Sequence, residues 1–334
     1  MSESSRREFV GNTLGTLATV SLTEGLLAQT RPSPGGIPTR PLGKSGERVS
    51  ILCLGGWHIG AVENTQEAIR IMHIAMDQGM TFFDNAWDYH DGGSEEVMGR
   101  ALSQDGRRKK AFLMTKNCER DYEGSKRNLD DSLRRLRTDY LDLWQFHEMV
   151  YDSDPDWVFE KGGLKAAIEA QKAGKVRHIG FTGHKDPRIH LKMLGKPYSW
   201  VSAQMPINIL DFHYRSFQNE VVPVCLEKGV GVIGMKSLAG QGLLPEQTGV
   251  SVQNCIRYAL GLPIASLVVG IASMADLEQD LKIARDFKPM ALDEQEKLRE
   301  KVKDRATDGR HELFKSTQTF DGPHHRRQHG FATD

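Results

Sequence analysis

From residue 49 onward, short apolar runs rich in β-branched and aromatic residues alternate with stretches whose apolar positions recur at helical spacing. The runs are 49–54, 81–84, 112–115, 141–146, 176–181, 200–204, 231–235 and 266–269, and their ends fall 23 to 35 residues apart. A strand, its crossover helix and the next parallel strand need about 30 residues, so this rhythm predicts a parallel sheet. Helices are expected over 65–78, stopping at Gly79, and over 124–136, with Leu129, Leu133 and Leu136 on one face. Two more are expected over 157–173, stopping at Gly174, and over 274–287, ending before Pro289. Eight such units closing on themselves make an α/β fold, the (β/α)8 TIM barrel. An open doubly wound sheet is the alternative, but no G-x-G-x-x-G follows the first run.

The flanks divide the chain further. Residues 39–48 predict an N-terminal hairpin capping the barrel bottom, and 292–307 a charged helix opening a C-terminal helical or irregular extension. The domains expected are 1–36 as signal and linker, 37–290 as barrel, and 291–334 as C-terminal helix and tail. The last stretch, Gly322-Pro323-His324-His325-Arg326-Arg327-Gln328-His329-Gly330, reads as a disordered tail. A flap over the active site and a surface for acidic substrates are the competing readings.

Composition narrows the class. The 334 residues balance 44 Lys+Arg against 44 Asp+Glu, which argues against electrostatic capture of nucleic acid or anionic lipid. With 39% hydrophobic and 26% charged residues, the chain reads as globular. The four cysteines lie far apart without a C-x-x-C, which excludes zinc-ribbon, iron–sulfur and thioredoxin-like arrangements. At the N-terminus, Ser5-Arg6-Arg7-Glu8-Phe9-Val10 precedes a weakly apolar stretch, 14–27, and resembles a twin-arginine export signal. That resemblance implies the twin-arginine export machinery as a partner and a periplasmic location in a bacterium. The alternative is a tail with a chance Arg pair and a cytoplasmic protein. The stretch holds too few strongly apolar residues, and Glu24 besides, for a stable transmembrane span.

In such barrels chemistry sits where strands run out into loops at the C-terminal rim. Asp84 ends the second run, with Tyr89 five residues later; Lys116 follows the third, and His147 the fourth. Taken singly, these are an ordinary cap, a packed phenol, a solvated lysine and a core histidine. Together they are a constellation. A lysine aimed into a barrel mouth needs a counter-charge, which Asp84 can supply. Lys116 beside a phenol is expected to lower the Tyr89 pKa, letting Tyr89 act as general acid–base, with His147 hydrogen-bonded to the same substrate oxygen.

These residues carry a resemblance. Phe83-Asp84-Asn85-Ala86-Trp87-Asp88-Tyr89 with Gly93-Ser94-Glu95-Glu96-Val97-Met98-Gly99-Arg100-Ala101-Leu102, and Tyr140-Leu141-Asp142-Leu143-Trp144-Gln145-Phe146-His147, resemble signatures of the aldo-keto reductases over roughly 39–287. The resemblance implies an Asp84–Tyr89–Lys116–His147 tetrad and hydride transfer between a nicotinamide cofactor and a small-molecule carbonyl or alcohol (an aldehyde, ketone or sugar). It implies cofactor contacts from Gly56, Thr182, Gln204, Met235, Lys236, Ser237, Leu238, Ser273, Gln279 and Asp280. Thr182 and Gly183 stand where the family usually has Ser-Asn, and Met235 where it often stacks an aromatic. Gly270 and Asp276 stand where NADPH-specific members place cations, so both NADP(H) and NAD(H), held tightly through export, are readings of the cofactor.

Trp57 and His58 are expected to line the substrate pocket, and no metal ligand is assigned. Histidines at other loops leave a metal-dependent TIM-barrel hydrolase or isomerase as an alternative. A nicotinamide-nucleotide-binding sensor or subunit with negligible turnover is the other.

Overall fold

The structure, a computed structural model, describes Gly25, Leu27, residues 29–33 and residues 36–333. The Arg6-Arg7 pair and most of the stretch after it lie outside the described residues. Among the described residues no helix is long and apolar enough to cross a membrane.

Two hairpin strands come first, β1 (Thr39–Pro41) and β2 (Arg48–Ser50), paired antiparallel with Pro41 opposite Arg48. Eight strands then close a parallel barrel: β3 (Leu52–Gly55), β4 (Phe82–Asp84), β5 (Phe112–Asn117), β6 (Leu141–Phe146), β7 (Val176–Thr182), β8 (Ser202–Pro206), β9 (Gly231–Met235) and β10 (Ser266–Val269). Closure runs through β10, which pairs with β3 and β9. The (β/α)8 barrel is as the strand rhythm predicts.

The hairpin plugs the bottom as expected. Leu42 and Val49 join Cys53, Phe82, Phe112, Met114, Leu143, Ile233 and Ala265 in one buried cluster. Arg40 is fully buried there, donating to the carbonyls of Ile264 and Leu260 at 2.9 Å each, which satisfies its guanidinium away from water. At the turn, a Cβ on Gly43 would stand 2.5 Å from the Gly229 carbonyl, and its φ is +54°; both require glycine.

Three expectations are corrected. The apolar run 49–54 is two elements: Val49 belongs to the hairpin and the barrel strand starts at Leu52, a boundary hidden because every position from Val49 to Gly55 is buried. The helix expected over 157–173 is two, Asp154–Glu160 and Gly163–Lys172, broken where Gly162 takes φ 89°. The tail is not disordered. After the helix Leu292–Ala306, the segment 308–333 folds back over the rim with short helices at Leu313–Ser316 and Pro323–Gln328.

Polar burial anchors that segment. The Lys315 ammonium is fully buried, 2.6 Å from Asp211 and 3.0 Å from Glu312. Asp321 pairs with Lys185 at 2.6 Å, and Phe314 packs with no exposure. Composition reads these residues as solvated, yet each charge meets its counter-charge on the rim. The competing sequence reading, a flap over the site, matches this placement.

Candidate active site

Each tetrad position follows from where its strand ends. Asp84 closes β4 and Lys116 lies within β5, and the register sets Asp84 opposite Met114 and Lys116 opposite Gln145. Lys116 Nζ lies 2.5 Å from Asp84 Oδ1, 2.6 Å from the Asn85 carbonyl and 3.3 Å from the Tyr89 hydroxyl. Asp84 and Lys116 are buried. The Asp84 carboxyl sits above its ordinary pKa because burial penalises its charge, an effect opposed by Lys116 and by hydrogen bonds from Lys116 and Gln204.

His147 stands just past β6, its amide donating to the Asn117 carbonyl at 2.8 Å. Arg120 holds the following loop. Its guanidinium donates to the carbonyls of His147 (2.8 Å) and Glu148 (3.0 Å) and to Asp154 (3.0 Å). The Tyr89 and His147 rings meet edge to face with centroids 5.6 Å apart. The structure therefore brings together all four residues that the sequence singled out.

The expected lowering of the Tyr89 pKa is overturned. Burial pushes the phenol well above its ordinary value, and Asp84, Asp88 and Glu148 add to the rise. Lys116 does not compensate, since its charge is already matched by Asp84 at shorter range. Tyr89 is thus held as a phenol, a proton donor.

The cofactor positions fall along the same rim. Thr182 and Gln204 are buried, register partners across β7 and β8. Gln204 Oε1 is buried without a partner, an acceptor that fits a carboxamide N–H. Met235 ends β9, half-buried, and Ser237 and Leu238 follow it. Lys236 has φ 57° and lies 5.3 Å and 5.2 Å from the ring centres of Phe314 and Phe320. Burial lowers its pKa to about 8.

Ser273 caps the helix Met274–Arg285, accepting from the Asp276 amide, while Asp276 accepts from the Ala272 amide. Gln279 is exposed; Asp280 is buried, and burial with the neighbouring Asp276 charge raises its pKa to about 7. Gly56 has a packing reason to be glycine, since a Cβ would stand 2.6 Å from the Asp84 carbonyl.

Trp57 and His58 separate. Trp57 is 52% exposed and edge-on to Tyr89 at 5.4 Å, beside the reacting centre. His58 lies instead against Gly270, where a Cβ would meet its ring at 2.5 Å, and its pKa is lowered by burial and by Lys236. That places it on the side given to the cofactor.

Sequence reasoning missed Asp88, Cys118, Glu148 and His325. Asp88 Oδ1 is 3.2 Å from His147 Nδ1, and Cys118 Sγ is 3.5 Å from the same nitrogen. His325, from the C-terminal segment, is fully buried with its ring centre 5.4 Å from that of His147. Asp88 precedes Tyr89 and Cys118 lies two residues beyond Lys116, a proximity the sequence does show. Nothing in it places His325.

The comparisons agree with this geometry. The model of the Aldo/keto reductase family matches residues 51–254. Oxidoreductase YrpG of Bacillus subtilis is 34% identical over 227 residues, covering 61% of this chain and 67% of that protein. L-galactose dehydrogenase of Arabidopsis thaliana is 26% identical over 304 residues, 78% and 92% of the two chains. Among solved structures, the holo form of aldo-keto reductase AKR11C1 from Bacillus halodurans superposes with a TM-score of 0.67 at 25% identity, over 79% of this chain and 96% of that one. The chain belongs to the aldo/keto reductase family. It is an NAD(P)-dependent oxidoreductase, and neither the metal-hydrolase nor the sensor alternative is favoured.

Proposed function

We propose that this protein reduces a small carbonyl compound, with Tyr89 as the proton donor. The observation that carries the reading is a half-buried phenol, kept protonated, within 3.3 Å of an ammonium paired to a buried carboxylate. Bound nicotinamide supplies the hydride. Tyr89 would give its proton to the substrate oxygen, and Lys116 would stabilise the resulting phenolate. His147 donates a hydrogen bond to the same oxygen and orients it. Gln204 and Thr182 would hold the carboxamide of a bound nicotinamide, and Lys236 and Ser237 its pyrophosphate.

The test is single-turnover absorbance of the reduced nicotinamide against a panel of aldehydes, ketones and sugars. Tyr89→Phe slows the chemical step by roughly 10²–10⁴-fold while nucleotide binding is retained. Equal turnover in both proteins overturns the assignment.

The adenosine end favours NAD(H). Residues 270–281 contain no Lys or Arg but carry Asp276 and Asp280, which suit a ribose hydroxyl better than a phosphate. Comparing the dissociation constants of NADH and NADPH decides this.

Export belongs to the same proposal. The Arg6-Arg7 segment directs the folded chain through the twin-arginine route to the periplasm, with the nucleotide bound beforehand and recycled between paired substrates such as a sugar and a ketone. Lys replacement of both arginines retains the protein in the cytoplasm, read by fractionation. Protein purified from periplasm without nucleotide rules out the retained cofactor.

A further inference from the structure

Behind the reacting centre, three rim loops and the C-terminal segment bring four metal-ligating side chains to one point. Asp88, Cys118, His147 and His325 each offer one donor atom, and these atoms all lie within 4.8 Å of one another. We infer that this cluster is a binding site for a tetrahedral divalent cation of the zinc type, which clamps the C-terminal segment to the active-site rim.

The donor set matches in kind. One thiolate, one carboxylate and two imidazoles are a zinc set, and two anionic ligands neutralise a dication, so no net charge is left buried. Two of its six donor pairs also have the right spacing, and all lie within 4.8 Å. Donors on a zinc tetrahedron with bonds of about 2.0–2.3 Å stand about 3.3–3.8 Å apart. His147 Nδ1 is 3.2 Å from Asp88 Oδ1 and 3.5 Å from Cys118 Sγ.

Independent of the spacing, a polar atom here lacks a hydrogen-bond partner. His325 is fully buried, and its Nδ1 is 3.4 Å from an Arg120 nitrogen. Its Nε2 makes no hydrogen bond, and the contact of Asp88 Oδ1 is the 3.2 Å one to His147 Nδ1. A buried imidazole nitrogen left unpaired is costly; a metal ion on Nε2 satisfies it, with the ring proton moved to Nδ1 and the 3.4 Å Arg120 contact given up. Glu148, 3.7 Å from His325 Nε2, adds a negative charge beside the cluster.

Three ligands sit on the rigid rim: Asp88 after β4, Cys118 after β5 and His147 after β6. The fourth comes from a segment more than 170 residues later in the chain, so the ion would be the tie between them. A metal on Nδ1 also leaves the proton of His147 on Nε2, the hydrogen-bond-donating form. That consequence rests on the role given to His147 above; the binding itself does not.

The test uses the full chain, stripped with a chelator, dialysed and titrated with Co²⁺. A saturable tetrahedral spectrum with a thiolate-to-cobalt charge-transfer band, at a single ion per chain, is expected. Cys118→Ser loses that band, and His325→Gln weakens binding by at least about tenfold. His324→Gln, whose ring pairs with Glu119 instead, leaves binding unchanged. Zn²⁺ is expected to slow trypsin cleavage within 308–333 in the wild type but not in Cys118→Ser, a readout that survives if His325→Gln disturbs folding. Tyr89→Phe retains binding, so failure of the reductase assignment is distinguishable. No binding, or weak octahedral Co²⁺ indifferent to Cys118→Ser, overturns the site.

Discussion

Lys116 Nζ and Asp84 Oδ1 stand 2.5 Å apart, with side chains 1% and 3% exposed, and this pair organises the chemistry around it. Because Asp84 neutralises the ammonium, the phenol of Tyr89 feels its own burial and the surrounding carboxylates more than the lysine. The pair therefore keeps Tyr89 loaded with a proton, while the ammonium remains close enough to stabilise the phenolate once the proton has left.

Breaking that pair from one side strands a buried charge. Asp84→Asn is expected to destabilise the fold by about 3–5 kcal/mol, since Lys116 keeps its ammonium without a counter-charge. The double variant Asp84→Asn/Lys116→Met should recover most of that loss without recovering turnover. Denaturant unfolding with parallel activity assays checks both, and a double variant as unstable as the single one would contradict the account.

Lys236 predicts a pH dependence of cofactor binding. Packed against Phe314 and Phe320, with Glu148 and Lys116 also acting on it, its ammonium titrates at about 8. Below that pH the charge is present for the pyrophosphate; above it, binding must recapture a proton. The nucleotide dissociation constant should rise above pH 8, by up to about tenfold per pH unit, and Lys236→Met should flatten this component. Fluorescence titration from pH 6.5 to 10 is the measurement.

Asp280 predicts the sign of a stability change. Its pKa is raised to about 7 by burial and by Asp276, so the folded state holds a proton that the unfolded state loses near 4. Stability is unpenalised below pH 4 and falls as pH rises toward 7. Asp280→Asn should match wild type at pH 4 and exceed it at pH 8, by up to about 4 kcal/mol. Nucleotide-free unfolding curves at the two pH values decide it, and equal stability at pH 8 counts against the buried proton.

The barrel was legible because its evidence is periodic. Apolar runs about 31 residues apart say closed parallel sheet, and the rim rule then picks Asp84, Tyr89, Lys116 and His147 out of the chain. What stayed hidden depends on pairwise distance. Asp88 and Cys118 have no periodic signature, and their meaning emerges only when β4 and β5 lie side by side. The electrostatics of Tyr89 were misread because the sequence shows a neighbouring lysine but not how completely Asp84 neutralises it. The C-terminal segment was misread for a similar reason: Lys315, Asp321 and His325 are polar, and only the folded rim supplies their partners.

Lys315 is the place to test whether that segment is built into the enzyme. Its ammonium reaches Asp211 on the rim and Glu312 on its own segment, and it also donates to the Tyr214 carbonyl at 2.8 Å. Lys315→Gln removes the only cation in contact with two buried carboxyls among these groups, so it should cost about 3–5 kcal/mol locally. Because the barrel strands make none of these contacts, the cost falls on the docking of 308–333. The undocked fraction should rise by about two to four orders of magnitude, seen as faster protease cleavage within the segment and loss of amide protection there, with protection in β3–β10 unchanged. Cleavage confined to the barrel, or no change in the segment, would show that the segment is held by something other than this buried lysine.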